Sequence, residues 1–461
     1  MFKKVLSTLL VAVMLFTITA CGTSDKGNDN SSADAGKVET KADKGLEVMG
    51  QNMKYDPNHL VNGGKPVKVD FWAWSFIDMF QDLVDQYQKI HPNVTINIIE
   101  TPWSDYWTKL PLALGSNNGP ALFAIHNSYH DNLINYMAPY DIPLKELQAD
   151  FLNVDSHLID NKIYYIDFAM MTSNIYYNKD LWKAAGLTDA DLPTTWGELA
   201  EVAKKLTIKD GDTFKQAGFN FNGTFNQMIL GLNYQYGQNL FNEDGTANIN
   251  NDAMNKIIKT FVDMYEVDGV GSPDFGTDCG ESFGQGQSAM VAMWGWYHEN
   301  LKNTYPDINF GVIETPKFDD VDDVYAYNRY NGESSFGINK NISDEQMEVA
   351  QDFVKFSLAN DDFLMDYSVQ ASCFPTKLSL ADREEVKNHQ VLSALAPNID
   401  KYIWPGAMPS TLEDNLKIAG ENIFYNNMGI SDALKEAEAS INADLKEVSF
   451  TPVEDMYKYA K

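Results

Sequence analysis

Arginine is nearly missing from this 461-residue chain: of 35 basic residues only Arg329 and Arg383 are arginines, the rest lysines. Sites for polyphosphates or clustered carboxylates usually need the guanidinium fork, so strongly anionic ligands are disfavoured. Basic charge is short overall, 35 residues against 65 acidic ones for a formal net charge of −30. Such a chain is repelled by phosphate backbones, which argues against nucleic acid as a partner. Only three cysteines occur, Cys21, Cys279 and Cys373, with no C-x-x-C pair, so neither a structural zinc motif nor a redox motif is indicated. The 94 positions between Cys279 and Cys373 leave a disulfide and two buried thiols equally open. Long apolar runs are absent beyond residue 20. What is present is 44% hydrophobic and 12% aromatic residues, enough for a sizeable folded core.

Lys3 and Lys4 precede an apolar run from Val5 to Ala20, after which the chain turns polar. This pattern reads as an export signal (1–20), too short to be a spanning helix. Ile18-Thr19-Ala20-Cys21 resembles the lipobox of bacterial lipoproteins, which implies lipidation of Cys21 and anchoring at the extracytoplasmic face of the cell membrane. Residues 21–65 then form a stretch rich in Gly, Ser, Asp, Asn and Lys, expected to act as a flexible tether.

The ordered chain starts at Pro66, where Val67, Val69 and Phe71 alternate as a strand. Ser75-x-x-Asp78 has the form of a capping box, and Phe76, Phe80, Leu83, Val84 and Tyr87 follow at helical spacing. His91-Pro92-Asn93 stops that helix, and Val94 to Ile99 is a second strand, completing a βαβ unit with parallel strands. Further strands are expected at 121–125 and 308–313, with helices opening at Thr195-x-x-Glu198 and Ser343-x-x-Gln346. The class is α/β, divided into two lobes because some 395 residues exceed one comfortable open-sheet domain. In such sheets ligands bind beyond the carboxyl ends of the strands. That places Trp72, Trp74 and Ser75 at one strand mouth and His126, Asn127 and Tyr129 at another.

Asn161–Ile166 followed by Ile175-Tyr176-Tyr177-Asn178-Lys179-Asp180-Leu181-Trp182, then Pro193-x-Thr195-Trp196-x-Glu198-Leu199, resembles the sugar-binding solute-binding proteins of ABC importers, the family that includes the maltose-binding protein. Phe283-x-x-Gly286-Gln287-Ser288-Ala289-Met290, Trp294-Gly295-Trp296, Phe310-Gly311-Val312 and Phe336-Gly337-Ile338 continue the resemblance in family order. It spans roughly residues 66–460. Two departures fall where ligand contacts are expected: Asp167 replaces a proline, and His126-Asn127 replaces an acidic residue. The resemblance implies a type II periplasmic-binding-protein fold with a ligand cleft between lobes joined by hinge crossovers. Lobe one would comprise about 66–166 and 316–367, lobe two about 170–312 and 374–461. Crossings would fall near 166–170, 312–318 and 365–375.

A carbohydrate site combines aromatic platforms for C–H faces with polar partners for hydroxyls. The candidates are Trp296, at the family's G-x-W position, with Trp74, Ser75, His126, Asn127, Asp167, Glu333, Trp404 and Tyr177. Asn331-Gly332-Glu333 is expected in a loop, and Trp404 in a late loop reaching the cleft. His126-x-x-x-His130 lacks the Glu of a zincin motif and reads as surface histidines. The acidic run Asp319–Asp323 reads as a solvated turn. No catalytic residue, cofactor or metal is called for. The implied function is a lipid-anchored receptor that delivers a neutral sugar, expected to be an oligosaccharide, to ABC permease subunits with a cytoplasmic ATPase. The alternatives are an exported glycoside hydrolase using paired carboxylates, and the same binding fold used for glycan sensing or tethering.

Overall fold

Strand β1 (Val67–Ala73) buries Val69, Phe71 and Ala73 on one face, as its alternation requires. The helix Ile77–Ile90 buries Met79, Phe80, Leu83, Val84 and Tyr87, and β2 (Val94–Glu100) returns parallel to β1 with Val67 opposite Val94. The capping box expected at Ser75 does not form. Phe76 is the N-cap, held in the left-handed region at φ 56° with no side-chain cap; packing of its ring on Phe80 and Tyr367 fixes the entry instead. The boxes at Thr195 and Ser343 do form, opening helices Trp196–Leu206 and Asp344–Ala359. Asp319, in the acidic run read as a solvated turn, accepts from the Thr195 hydroxyl at 2.6 Å and the Gly197 N–H at 2.9 Å, and so reinforces the first box.

The computed structural model describes residues 45–454 apart from 117, 118, 127, 128, 407, 448 and 449. The export signal and Cys21 lie outside the described residues. From Leu46 onward the chain forms one contact-dense unit. No helix among the described residues is long and apolar enough to cross a membrane.

Two sheets organise this unit. The first has the order β8-β3-β1-β2, with β3 (Leu122–Ala124) parallel to β1 and β8 (Phe336–Ile338) antiparallel to β3. The second is built on β4 (Asp167–Asn178), buried at all twelve positions. The first half of β4 pairs with β7 (Asn328–Ser334) and β9 (Phe374–Pro375). Its second half pairs with β5 (Met290–Trp294) and β6 (Phe310–Ile313), and β10 (Tyr402–Ile403) adds to β7. The architecture is the expected two-lobed α/β arrangement.

Two expectations are corrected, and one alternative left open is decided. Residues 46–64, assigned by composition to a flexible tether, are packed: Met53, Tyr55 and Val61 are buried, and the N–H groups of Asn52 and Met53 donate to the Asp150 carboxylate. A few apolar side chains in a polar stretch suffice when each finds a pocket on a preformed surface. Asn331-Gly332-Glu333 lies within β7 rather than in a loop. Cys279 and Cys373 are free, buried thiols, the first beside Met293 and the second following the helix Asp361–Ala371.

Phe71 is fully buried against Phe80, Phe336 and Phe353, joining β1, β8 and two helices. Phe71→Ala is therefore expected to cost roughly 3–5 kcal/mol. In urea titrations it should lower the unfolding midpoint without changing the slope.

Candidate functional site

The carboxyl ends of β1 and β3 are tied together by one side chain. The buried Tyr106 hydroxyl donates to the carbonyls of Trp72, at 3.0 Å, and Ala124, at 2.9 Å. Tyr106 belongs to the helix Trp103–Leu114, so this contact seats Trp103 and Trp107 over the two strand ends. There they meet Trp74, whose ring lies 5.3 Å from Trp103 and 5.0 Å from both Tyr106 and Trp107. Tyr129 stacks on Trp107 at 4.0 Å and an interplanar angle of 1°, and His126 stands edge-on to Trp103 at 5.2 Å. Edge-to-face packing of this kind suits the ring quadrupoles and holds each ring in place before a ligand arrives.

This cluster forms one wall of a cavity of about 280 Å³. Trp103, His126 and Tyr129 line that wall; Arg329 and Asn331 of β7 line the floor; Met408, Ser410, Glu413 and Asp414 close the far side. Arg329 is buried, donates at 2.9 Å to both Asn331 Oδ1 and Glu413 Oε1, and lies over the Trp294 ring at 5.2 Å. Its charge is thus compensated within the protein. Burial, reinforced by the nearby Arg329, pushes the His126 imidazole down to about 4, so at neutral pH it carries one donor and one acceptor. It is half-buried rather than a surface histidine, as is His130, also pushed down to about 4 by burial and by His157. The cavity offers aromatic faces, a neutral imidazole, an amide, a hydroxyl and carboxylates, and no uncompensated cation.

Of the residues proposed from sequence, Trp74 and His126 are brought together here, with Ser75 half-buried beside Trp74. Asn127 lies outside the described residues. Trp296 is 46% exposed at the start of the helix Tyr297–Thr304, a free platform but not part of this lining. Asp167 is buried at the start of β4, with Oδ2 3.2 Å from His157 Nε2. Glu333 lies near it on β7. Burial and the Asp167 charge raise its carboxyl to about 7, although the Tyr367 hydroxyl donates to it at 3.3 Å. A Cβ at Gly332 would meet the Asp167 carboxylate at 2.0 Å, so only glycine fits beside that acid.

Two proposed contacts lie away from this lining. Trp404 is buried, its ring stacked on His157 at 4.1 Å, so it packs in the wall of a separate cavity of about 410 Å³ that also includes His130, Tyr165 and Val453. Tyr177 is buried in β4, with its ring over Gly311 and against Trp182. Sequence reasoning missed Trp103, Trp107, Arg329 and Glu413. Only the aromatic density of Trp103-x-x-Tyr106-Trp107 and the rarity of arginine could have singled them out.

Comparison with known proteins bears on this geometry. A galactooligosaccharide-binding protein of Bacillus subtilis is 24% identical over 379 residues, covering 78% of this chain and 77% of its own length. An arabinooligosaccharide-binding protein of the same organism is 24% identical over 275 residues, covering 55% and 62%. Against a Brucella abortus binding protein, 24% identical over 252 residues, the match covers 51% of this chain and spans only 59% of the relative's length. Among solved structures, the sugar-binding protein MalE of Xanthomonas citri superposes with a TM-score of 0.70 at 17% identity, covering 83% of this chain and 98% of that one, which establishes the fold. The family model of bacterial extracellular solute-binding proteins matches residues 73–362. With the fold, the order of its motifs and well over half of its length in agreement, this chain belongs to the family of bacterial extracellular solute-binding proteins.

Proposed function

We propose that this protein is a lipid-anchored receptor at the extracytoplasmic face of the membrane, which captures a neutral oligosaccharide and delivers it to an ABC importer. The observation that carries this reading is the aromatic-lined cavity at the carboxyl ends of β1 and β3, with its neutral His126 and its internally compensated Arg329. Sugars stack C–H faces on rings and satisfy hydroxyls with uncharged donors and acceptors. The names of the Bacillus subtilis relatives, which bind galacto- and arabinooligosaccharides, support the ligand class. The relatives are binding proteins rather than enzymes, so binding without turnover is the reading taken here. Membrane attachment rests on Cys21 and its lipobox.

The lobes are taken as 66–166 with 316–367, and 170–312 with 374–461, hinged where β4 passes from the β7 and β9 pairing to the β5 and β6 pairing. Closure about that strand would bury the sugar between Trp103 on one side and the Met408–Asp414 segment on the other. The closed form would be the one that the permease subunits bind.

The test of ligand class is thermal unfolding and titration calorimetry against neutral mono- and oligosaccharides, with chromatography of the mixtures. A concentration-dependent rise in midpoint with intact sugar is expected; sugar cleavage would sink the receptor reading in favour of a hydrolase. Trp103→Ala should then weaken binding by about 2 kcal/mol, roughly 30-fold, with the fold retained by circular dichroism.

The acid pair at the hinge gives a pH signature. Glu333 has a folded-state value of about 7, above that of an unfolded chain. Its favourable contribution is fully present below about pH 4.5 and is lost as pH rises through 7. Glu333→Gln should raise stability at pH 8 by roughly 1–3 kcal/mol and leave it unchanged near pH 4.5, as read from urea midpoints.

Cys21→Ser should move the protein from the membrane fraction to the soluble extracytoplasmic fraction of cells that express it. Retention in the membrane would refute lipid anchoring through this residue.

A further inference from the structure

Two groups of side chains outside the cleft have the donors and spacing of a metal site: His59 with His91 and Asp352, and His298 with Glu299 and His389, each with its donor atoms within 4.8 Å of one another. The second is already committed elsewhere. His389 Nδ1 accepts from the backbone N–H groups of Val391 and Leu392, at 3.3 and 3.4 Å, as the cap of the helix Gln390–Leu395. Its proton therefore sits on Nε2, the nitrogen a metal would need.

The first group is arranged differently. His59 Nδ1 donates to the Asp56 carbonyl, so Nε2 is the ring nitrogen turned toward the group. Nε2 lies 2.7 Å from Asp352 Oδ1. His91 Nε2 lies 3.6 Å from Asp352 Oδ2. The Tyr87 hydroxyl donates to Oδ2 at 2.7 Å, which orients the carboxylate with Oδ1 toward His59. Tyr55 stands beside the group, 2.6 Å from His91 Nε2 and 3.1 Å from Asp352 Oδ2. His59 is 41% exposed, so an ion has a way in.

We propose that His59, His91 and Asp352 bind one divalent transition-metal ion of the zinc class, pinning the 46–64 segment to the helices Ile77–Ile90 and Asp344–Ala359. Two imidazoles and one carboxylate suit such an ion, and the fourth position is left to water or to the Tyr55 oxygen. Ligands ~2.0–2.2 Å from a tetrahedral ion lie ~3.4 Å apart. The observed 2.7 and 3.6 Å bracket that spacing, so a shift of the exposed His59 ring is enough to admit the ion. The three ligands come from segments far apart in sequence, so the ion would act as a cross-link where the chain enters the folded unit. None of them lines the sugar cavity.

The test is titration of the full chain, purified in detergent and stripped with EDTA, with Co²⁺ alone. Visible ligand-field bands that saturate at one equivalent are expected, with displacement by Zn²⁺ and a higher thermal midpoint in its presence. His59→Ala should fold, since His59 lies at the surface, and should lose at least tenfold in affinity. Tyr87→Phe should keep the stoichiometry while binding about tenfold more weakly, a change that a merely structural role for Tyr87 would not produce. Absence of a saturating band, an unchanged titration in His59→Ala, or loss of the band in His298→Ala instead would each overturn the assignment. Sugar affinity measured in His59→Ala separates failure of this site from failure of the receptor reading.

Discussion

Strand β4 is the element on which the rest of the molecule depends. Twelve successive buried residues leave a dozen backbone units with no access to water, and each must find its hydrogen bonds within the protein. No single neighbouring strand is long enough. The requirement is met by four: β7 and β9 along the first half, β5 and β6 along the second. One strand therefore belongs to two neighbourhoods, and the chain must return to it from residues 290, 310, 328 and 374. That return surrounds the strand with segments discontinuous in sequence. The side chains of β4 obey the same constraint: Thr172 donates to the Arg329 carbonyl, and Asp167 faces His157.

The cleft depends on a second, smaller constraint. Parallel strands end with exposed backbone and invite a ligand, but an open end alone does not define a surface. Here the Tyr106 hydroxyl spans the ends of β1 and β3, and the rings behind it pack edge to face into a fixed wall. The electrostatics are equally settled in advance. A chain with net charge −30 repels anions at a distance, and the one arginine in the cavity is already bound to Glu413 and Asn331. What remains is a lining of ring faces and neutral hydrogen-bonding groups.

Local patterns made much of the fold legible. The β1–helix–β2 unit and the capping boxes at Thr195 and Ser343 depend on residues close in sequence. Legibility ended where distant segments decide. Ser75 has a good capping-box spacing, yet Phe76 sets the helix start because its ring finds Phe80 and Tyr367. The 46–64 stretch is polar by composition and is ordered by distant partners: Met53, Tyr55 and Val61 are buried, and Asp150, nearly a hundred residues away, receives the N–H groups of Asn52 and Met53. For the site, the rule of strand ends found Trp74 and His126, while Trp103, Arg329 and Glu413 come from three further segments. Trp404 and Tyr177 illustrate the converse: aromatic residues at plausible positions are more often used for packing than for binding.

Three ion pairs with a buried partner sit around the crossing, and their placement has a physical consequence. His157–Asp167, Arg329–Glu413 and Lys377–Asp361 each include a residue at most 5% exposed, and each lies on or next to β4, β7 or β9. A buried pair adds little net stability over apolar packing, but separating its partners leaves an uncompensated charge and costs several kcal/mol. Such pairs therefore act on register. A one-residue slip of β7 along β4 would bring the side chain of Asn331 or Glu333 to the position of Gly332, where there is no room for a Cβ beside Asp167, and would part Arg329 from Glu413. The strand that serves both lobes is in this way fixed in position by charge and steric exclusion, while the apolar cores on either side supply the bulk of the stability. The proposed lobe closure needs such a division, because the cleft walls can then move about a strand whose own pairing does not shift.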